Sequence, residues 1–192
     1  MPVPNPDALS FLLTRRSRPA KTLTGPWPDR AALEPLLEAA ARTPDHGKLE
    51  PWRFIVLTGG ALDRLAALAQ RLGAAQGRAD DQIAKMADQF TRSGCCIAVI
   101  ASPKPSDKIP RVEQTLSAGA ACLALLNAAL ASGWGANWLT GWGAHDAAFA
   151  RDGLGLATDE TVAAFIHIGT ETSAPPDRPR PDIAAITDWR DA

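Results

Sequence analysis

The sequence predicts an α+β domain that spans all 192 residues. A continuously apolar run after Gly94, ending at Ala101, is typical of a central strand that is buried on both faces. Two further strand-like runs, at 53–58 and 161–168, are separated from it by segments with helical periodicity. No internal repeat and no second hydrophobic core is apparent. We therefore expect a single domain, with residues 172–192 as a C-terminal tail that packs on a partner subunit.

Helices are predicted from periodicity and capping signals. Asn5 as N-cap and Pro6 in the first turn begin the first helix, which ends at the basic residues before Pro19. Pro35 places the regular part of the next helix, 29–42, near Glu34 onward. Further helices are predicted at 61–72, 112–132 and 145–151, and a looser, polar helical stretch at 73–93. The 112–132 helix is apolar on almost every side, which places it in the middle of the protein or of a dimer.

Composition excludes several classes of partner. The net charge is −1, so no basic excess indicates a nucleic acid or a membrane surface. Residues 115–145 lack Asp, Glu, Lys and Arg, but they are rich in Ala, Gly, Ser and Asn and have no basic flank. We interpret them as a buried helix followed by a buried loop in a soluble protein. Cys95, Cys96 and Cys122 are predicted to be buried, apolar and reduced, which indicates a cytoplasmic location.

Common catalytic motifs are missing from the sequence. No serine or cysteine lies in a nucleophile turn of the GxSxG kind, and no P-loop is present. The three histidines, His46, His145 and His167, lack metal-ligand spacing. Trp138 stands where a third glycine would complete a GxGxxG motif, and that run follows a helix instead of a strand. What remains is an enzyme whose chemistry belongs to a bound organic cofactor.

Three segments are candidates for binding such a cofactor. Residues 15–18 either complement the dipole at a helix C-terminus or form a dense set of phosphate donors. The loop at 42–54, with four basic side chains, is either solvated or shaped around a planar anion. Residues 133–143 contain four glycines and three tryptophans, which indicates backbone lying close to something flat.

An ordered set of short motifs connects the chain to a known family. The set comprises Arg15-Arg16-Ser17, residues 41–46 leading to 51–54, the helix 119–133, residues 137–141 and residues 168–170. In this order the chain resembles the nitroreductase family of FMN enzymes, and especially its short, YdjA-like NAD(P)H subgroup, from residue 9 to 179. The resemblance implies a mostly antiparallel sheet flanked by helices and an intertwined homodimer with FMN at the subunit interface.

The resemblance also implies roles for individual residues. The first FMN-binding segment matches Arg15, Arg16 and Ser17, with the phosphate and ribityl chain as targets. The second FMN-binding segment matches Arg42 and His46. In the family this segment serves the FMN that is shared with the other subunit. The segment beside the isoalloxazine ring matches Trp138, Leu139 and Thr140. A segment for NAD(P)H contact matches Ala128, Ala129, Leu130, Ala131, Ser132 and Gly133, whose apolar pattern core packing explains equally well.

The implied activity is NAD(P)H-dependent reduction of nitroaromatics, quinones or similar electron-poor acceptors, in a ping-pong hydride mechanism with no side chain assigned as catalytic. Arg16 and His46 are candidates for stabilising the charge of reduced flavin. The alternatives are an FMN-binding carrier or regulatory domain without turnover, and another flavin reaction on the same fold, such as dehalogenation or dehydrogenation. The chain departs from many family members at 45–47 and at Glu50, where glutamine is common.

Overall fold

The computed structural model describes Met1 and residues 3–190. Within these residues the helices are α1 (Pro6–Thr14), α2 (Arg30–Ala41), α3 (Gly60–Ala75), α4 (Asp80–Thr91), α5 (Arg111–Ala131) and α6 (Ala147–Leu154). The strands are β1 (Leu23–Thr24), β2 (Trp52–Thr58), β3 (Cys95–Ala101), β4 (Gly135–Leu139) and β5 (Thr161–Glu171). The predicted α+β class is confirmed.

The strands form one sheet in the order β1-β5-β3-β2, and β4 also pairs with β5. Each of these pairings is antiparallel, as the resemblance implied. β3 lies in the middle of the sheet, where Ile97 stands between Val56 of β2 and Ile166 of β5. The sheet is therefore continuous from the edge strand β2 to the strands that follow α5.

Both faces of β3 are covered, so alternate side chains enter two core layers, one on each face of the same sheet. Cys96 belongs to the core beneath α3, α4 and α6, and Cys95 to the core beneath α2 and α5. All seven residues of β3 are buried. Burial raises the pKa of the Cys95 thiol to about 11 and that of Cys122 to about 12. These cysteines are small apolar core residues, as predicted.

Capping confirms one predicted helix start and corrects two others. The Asn5 side chain accepts a hydrogen bond from the Ala8 N–H, as expected of the N-cap of α1. α2 begins at Arg30, because Asp29 caps it and Pro35 removes a hydrogen bond only from the first turns. α6 is capped by Asp146 and not by His145.

Two further predictions are corrected. The stretch 73–93 is mostly regular helix, because α3 continues to Ala75 and the well-formed α4 follows. The stretch after α5 is not a loop, because β4 pairs with β5 from Gly135 opposite Gly169 to Leu139 opposite Phe165. Pairing with a neighbour that is distant in sequence overrides the low strand propensity of glycine.

α5 has one buried face and one exposed face, so within one chain it is not buried on every side as its apolar composition suggests. Among the described residues it alone is long and apolar enough to span a membrane by length and composition. Its buried face packs against α2, β4 and β5, as a core helix does. The apolar side chains Val112, Leu116 and Leu123 lie on its exposed face, and Ile183, Ile186 and Trp189 of the tail are exposed as well.

Candidate functional site

The segment that follows α1 is attached to the start of β4. The Arg18 N–H donates to the Ala136 carbonyl oxygen at 2.8 Å. The Asn137 side-chain amide donates to the Arg18 carbonyl oxygen at the same distance of 2.8 Å. These two hydrogen bonds place Arg15, Arg16 and Ser17 beside the first residues of β4.

Four arginines converge at this point. Burial, and then the charges of Arg180, Arg16 and Arg18, hold the pKa of Arg15 below its ordinary value. Arg180 comes from the C-terminal tail, and the sequence analysis missed it. The only signal for it in the sequence was a pair of arginines in the Pro-rich tail. Nothing in the local sequence of that tail indicates that it packs near the end of α1.

Two of the guanidinium donors have no hydrogen-bond partner among the described residues. Arg15 Nε and Arg16 Nη1 are buried without a hydrogen-bond partner. Arg16 Nη1 lies 3.9 Å from Asp177, beyond hydrogen-bond distance, and Arg15 Nη2 donates to Ser17 Oγ at 3.1 Å. Buried guanidinium donors of this kind suit a phosphate group, because they form strong charge-assisted hydrogen bonds with its oxygens.

A trough runs between α4 and β4. It consists of two adjoining cavities of about 530 and about 460 Å³, each within the range of small-molecule sites. Both are lined by Lys85, Gln89 and Leu139, and the second also by Trp138 and Thr140. The first is also lined by Ala20 and Lys21, a few residues beyond Ser17. The trough is therefore lined by the third predicted segment, and it reaches the chain just after the first, although Arg15, Arg16 and Ser17 do not line it.

Two α4 side chains in this trough were not identified from sequence. Lys85 and Gln89 are one helical turn apart and so lie on the same face. The Gln89 side-chain nitrogen is 2.9 Å from Met86 Sδ, whereas its Oε1 is buried without a partner. The spacing of four residues was the available signal, but only the tertiary structure shows that this face points toward β4.

The second predicted segment is not brought to the same place. His46 Nδ1 is 2.7 Å from Glu113 Oε2, at the start of α5, and Ser117 Oγ donates to the Pro44 carbonyl oxygen. Arg42 caps the neighbouring end of α2. Arg18 instead contacts residues that follow the end of α5, and a helix of 21 residues is about 30 Å long. Within one chain, the first and second segments thus lie at opposite ends of α5.

The loop that leads into β2 has an unusual backbone. Lys48 and Glu50 both have positive φ, 55° and 49°, as does Gly47 at 76°. The Asp45 carboxylate accepts hydrogen bonds from the N–H groups of Leu49 and Glu50, which stabilises this conformation. Glu50 itself is exposed.

The segment assigned to NAD(P)H contact divides into two parts. Ala129 is fully buried, and Ala128 and Leu130 pack partly buried against the same core. The last three residues are exposed where α5 ends, and Gly133 has a positive φ of 84° in that turn. Core packing accounts for the first part, and helix termination accounts for Gly133.

His167 also lines the trough, but its ring atoms are occupied within the protein. Ser93 Oγ donates its one proton to the Cys95 carbonyl oxygen at 2.9 Å, so it accepts from the His167 Nδ1–H at 3.0 Å. This leaves Nε2 unprotonated, 3.9 Å from Cys96 Sγ. Burial lowers the pKa of His167 to about 4. The ring is therefore neutral and held in place, as expected of a structural residue.

Comparison with known proteins identifies the family of this chain. The Nitroreductase family model matches residues 12–170. YdjA of Escherichia coli K12, provisionally named an NAD(P)H nitroreductase, is 34% identical over 164 residues, which cover 85% of this chain and 88% of YdjA.

Solved structures share the fold. A nitroreductase-like family protein from Bacillus cereus has a TM-score of 0.81 at 23% identity, covering 100% of both chains. A protein from Desulfovibrio desulfuricans, provisionally described as a nitroreductase and solved in complex with FMN, has a TM-score of 0.75 at 24% identity, covering 98% of each chain. The family model covers most of this sequence and YdjA is similar over most of its own length, so the chain belongs to the nitroreductase family.

Proposed function

We propose that this protein is an FMN-dependent NAD(P)H oxidoreductase that reduces nitroaromatics, quinones or similar electron-poor acceptors in a cytoplasmic setting. The observation that carries the proposal is that Arg15 and Arg16 each have a buried donor nitrogen without a hydrogen-bond partner, in the segment that leads to Ala20 and Lys21 at the edge of the trough. When bound, FMN would supply the redox chemistry, with NAD(P)H as the hydride donor and the electron-poor compound as the acceptor in a ping-pong sequence. The protein's residues would bind and orient it.

The phosphate would be held where α1 ends. Arg15 and Arg16 supply the donors without partners, Ser17 adds a hydroxyl, and Arg180 adds a fourth group from the tail. Together these groups would neutralise a phosphate dianion and fix one end of the cofactor.

The flat ring system would lie in the trough. Trp138, Leu139 and Thr140 would provide its β4 side, and α4 would provide polar groups from the opposite side. The unpartnered Gln89 Oε1 suits a ring N–H donor. Lys85, which lines both cavities, suits the negative charge that develops on the ring upon reduction. We propose this lysine for the stabilising role in addition to Arg16 and His46.

The complete site would need two chains. Arg42 and His46 lie too far from the first segment to contact the same cofactor within one subunit, so in a homodimer the partner would supply them. The exposed apolar side chains of α5 and of the tail offer surface for that interface. Near the end of α5, the exposed Ala131, Ser132 and Gly133 are the part of segment 128–133 that remains free to contact NAD(P)H.

Membership of the nitroreductase family and the fold shared with an FMN complex support this proposal. The deciding experiment is an absorption spectrum of the purified protein, repeated anaerobically after NADPH or NADH is added. We expect flavin bands that bleach with at least one nucleotide and return when a nitroaromatic or quinone is added.

The other outcomes of this experiment separate the alternatives. Flavin bands that neither nucleotide bleaches would favour an FMN carrier without turnover. Bleaching without reoxidation by nitroaromatics or quinones would favour another flavin reaction, such as dehalogenation or dehydrogenation. A colourless protein that cannot be reconstituted with FMN would contradict the proposed cofactor.

A further inference from the structure

The cavity at the far end of the trough has an aromatic wall held in a fixed position. Trp142 donates its indole N–H to the Gln82 carbonyl oxygen at 3.2 Å, which ties the ring to α4. The Arg78 guanidinium lies 4.3 Å from the centre of the same ring, a cation–π contact. Arg78 is also held by Gln76, 2.7 Å from its Nε, and by Asp146 at 3.5 Å. A planar cation is thus fixed against a planar ring at the cavity wall.

The charge that faces this cavity has one sign. Arg78 and Lys85 both line it, and none of the described lining residues is an aspartate or a glutamate. The partner of Arg78, Asp146, is not among the lining residues. Because Trp138 and Trp142 also line it, the cavity presents aromatic surface as well as positive charge. This combination suits a flat ligand that carries a negative group.

We infer that the part of this cavity next to Arg78 and Trp142, beyond the proposed flavin ring, binds the electron acceptor and favours flat aromatic acceptors that carry a carboxylate, sulfonate or phosphate, with Arg78 as the residue that selects for the charge. The inference rests on the proposed function, since it assumes that acceptors are reduced in the trough. It goes further by naming a chemical class within the broad range of electron-poor acceptors.

The reaction of a nitroaromatic acceptor defines the test. Two electrons and two protons convert the nitro group to a nitroso group, one N–O bond breaks and one water is released. NAD(P)H supplies the hydride and solvent supplies the second proton. In a ping-pong scheme, kcat/KM for the acceptor reports on the oxidative half-reaction alone. A change in acceptor selectivity is therefore separable from a change in flavin reduction.

The probes are 4-nitrobenzoate and 4-nitrobenzamide, which are close in shape but differ in charge. The measured quantity is the ratio of their kcat/KM values, compared between variants so that their different intrinsic reactivities cancel. In Arg78→Gln we expect this ratio to fall about tenfold, the low end of what a hydrogen bond to a charged group contributes. Arg78→Lys should retain part of the preference. Arg71→Gln, on the exposed face of α3, should match the wild type.

Each outcome decides a separate point. An unchanged ratio in Arg78→Gln would overturn the inference, even if both acceptors are reduced. A second result would also overturn the inference. If Arg78→Gln slowed flavin reduction by NADPH but not by NADH, and the acceptor ratio stayed unchanged, the guanidinium would recognise the 2′-phosphate of NADPH and not the acceptor. If neither nucleotide reduced the flavin, or if neither these nitroaromatics nor a quinone reoxidised it, the proposed function itself would be contradicted.

Discussion

Arg53 and Glu160 form a two-point ion pair between the start of β2 and the turn before β5. Arg53 Nε and Nη2 each donate to a different carboxylate oxygen of Glu160, both at 2.7 Å. Glu160 also accepts from the Ala157 N–H at 3.1 Å. The hydrogen bond from Arg53 is the main cause that lowers the pKa of Glu160 to about 2. The pair thus joins the edge strand β2 to the chain that enters β5.

Because of this ion pair, part of the free energy of unfolding should depend on pH in the acidic range. The pKa of Glu160 falls from 4.5 to about 2 on folding, so its contribution is complete above pH 4.5 and is lost as the pH falls toward 2. We expect Glu160→Gln to lower the free energy of unfolding at pH 7 by about 1 kcal/mol, because Arg53 is partly exposed. The difference from the wild type should shrink between pH 4.5 and 2. Urea unfolding across this range measures it.

A double-mutant cycle with Arg53→Gln supplies the control, because the two changes should be non-additive if the ion pair is the cause. Additive effects with no change between pH 7 and pH 3 would show that the pair does not contribute as described.

The Trp27 indole occupies space that only glycine leaves free on two neighbouring segments. A Cβ on Gly94 would lie 2.2 Å from the indole nitrogen, and a Cβ on Gly169 would lie 2.4 Å from the ring. We expect Gly94→Ala and Gly169→Ala each to lower the free energy of unfolding by about 1–3 kcal/mol, the usual cost of overpacking. Chemical denaturation measures both.

Gly60→Ala is the matched control, because its Cβ would meet nothing within 4 Å at the first position of α3. It should be neutral or slightly stabilising, by at most about 1 kcal/mol. In a Trp27→Leu background the penalty of Gly169→Ala should become smaller, and an equal penalty there would rule out the ring as its cause.

Local patterns predicted the centre of the fold. The apolar run of β3 required two covered faces, and the adjacent Cys95 and Cys96 do enter opposite cores. β4 was missed because glycine and tryptophan have no alternating pattern there. Its strand conformation depends on pairing with β5, which lies some 30 residues later in the chain.

The candidate site shows the same division. Adjacent residues such as Arg15 and Arg16 can be recognised together from sequence. Arg180 and Lys85 come from a Pro-rich tail and from a helix with a polar pattern, and only tertiary packing brings them near the other candidates. Such convergence depends on long-range contacts, which no local spacing encodes.

If Arg15 and Arg180 hold the phosphate, their loss should affect FMN more than riboflavin, which lacks the phosphate. We expect Arg15→Gln and Arg180→Gln each to weaken FMN binding about tenfold or more, because a hydrogen bond to a charged group is removed. Riboflavin affinity should change much less. Fluorescence titration of the apoprotein with both flavins measures the difference.

Arg190→Gln is the control from the same tail, since its side chain is exposed and bonded to Asp188. Equal losses for the two flavins would assign the arginines a role in folding and not in phosphate binding.

Lys85 should raise the reduction potential of the bound flavin, because a nearby cation stabilises the negative charge of the reduced form. We expect Lys85→Gln to lower the midpoint potential by about 30 mV, which corresponds to about 1.4 kcal/mol for a two-electron couple. Lys108→Gln, on an exposed loop, should leave the potential unchanged. If the wild type and Lys85→Gln had equal midpoint potentials, Lys85 would not lie close enough to the flavin to stabilise its reduced form.

The apolar stripe on α5 should control both assembly and flavin content. Leu116 and Leu123 are exposed in one chain, 69% and 45% respectively, and a glutamate at either position would be buried unpaired in an interface. We expect Leu116→Glu and Leu123→Glu to shift a dimer toward monomer in analytical ultracentrifugation and to lose FMN in parallel, since His46 and Arg42 of the partner would be removed from the site. Ala67→Glu, on the exposed face of α3, should change neither property. A monomeric variant that keeps full FMN affinity would show that one chain is sufficient, and the separation of Arg16 from His46 along α5 would then have no functional consequence.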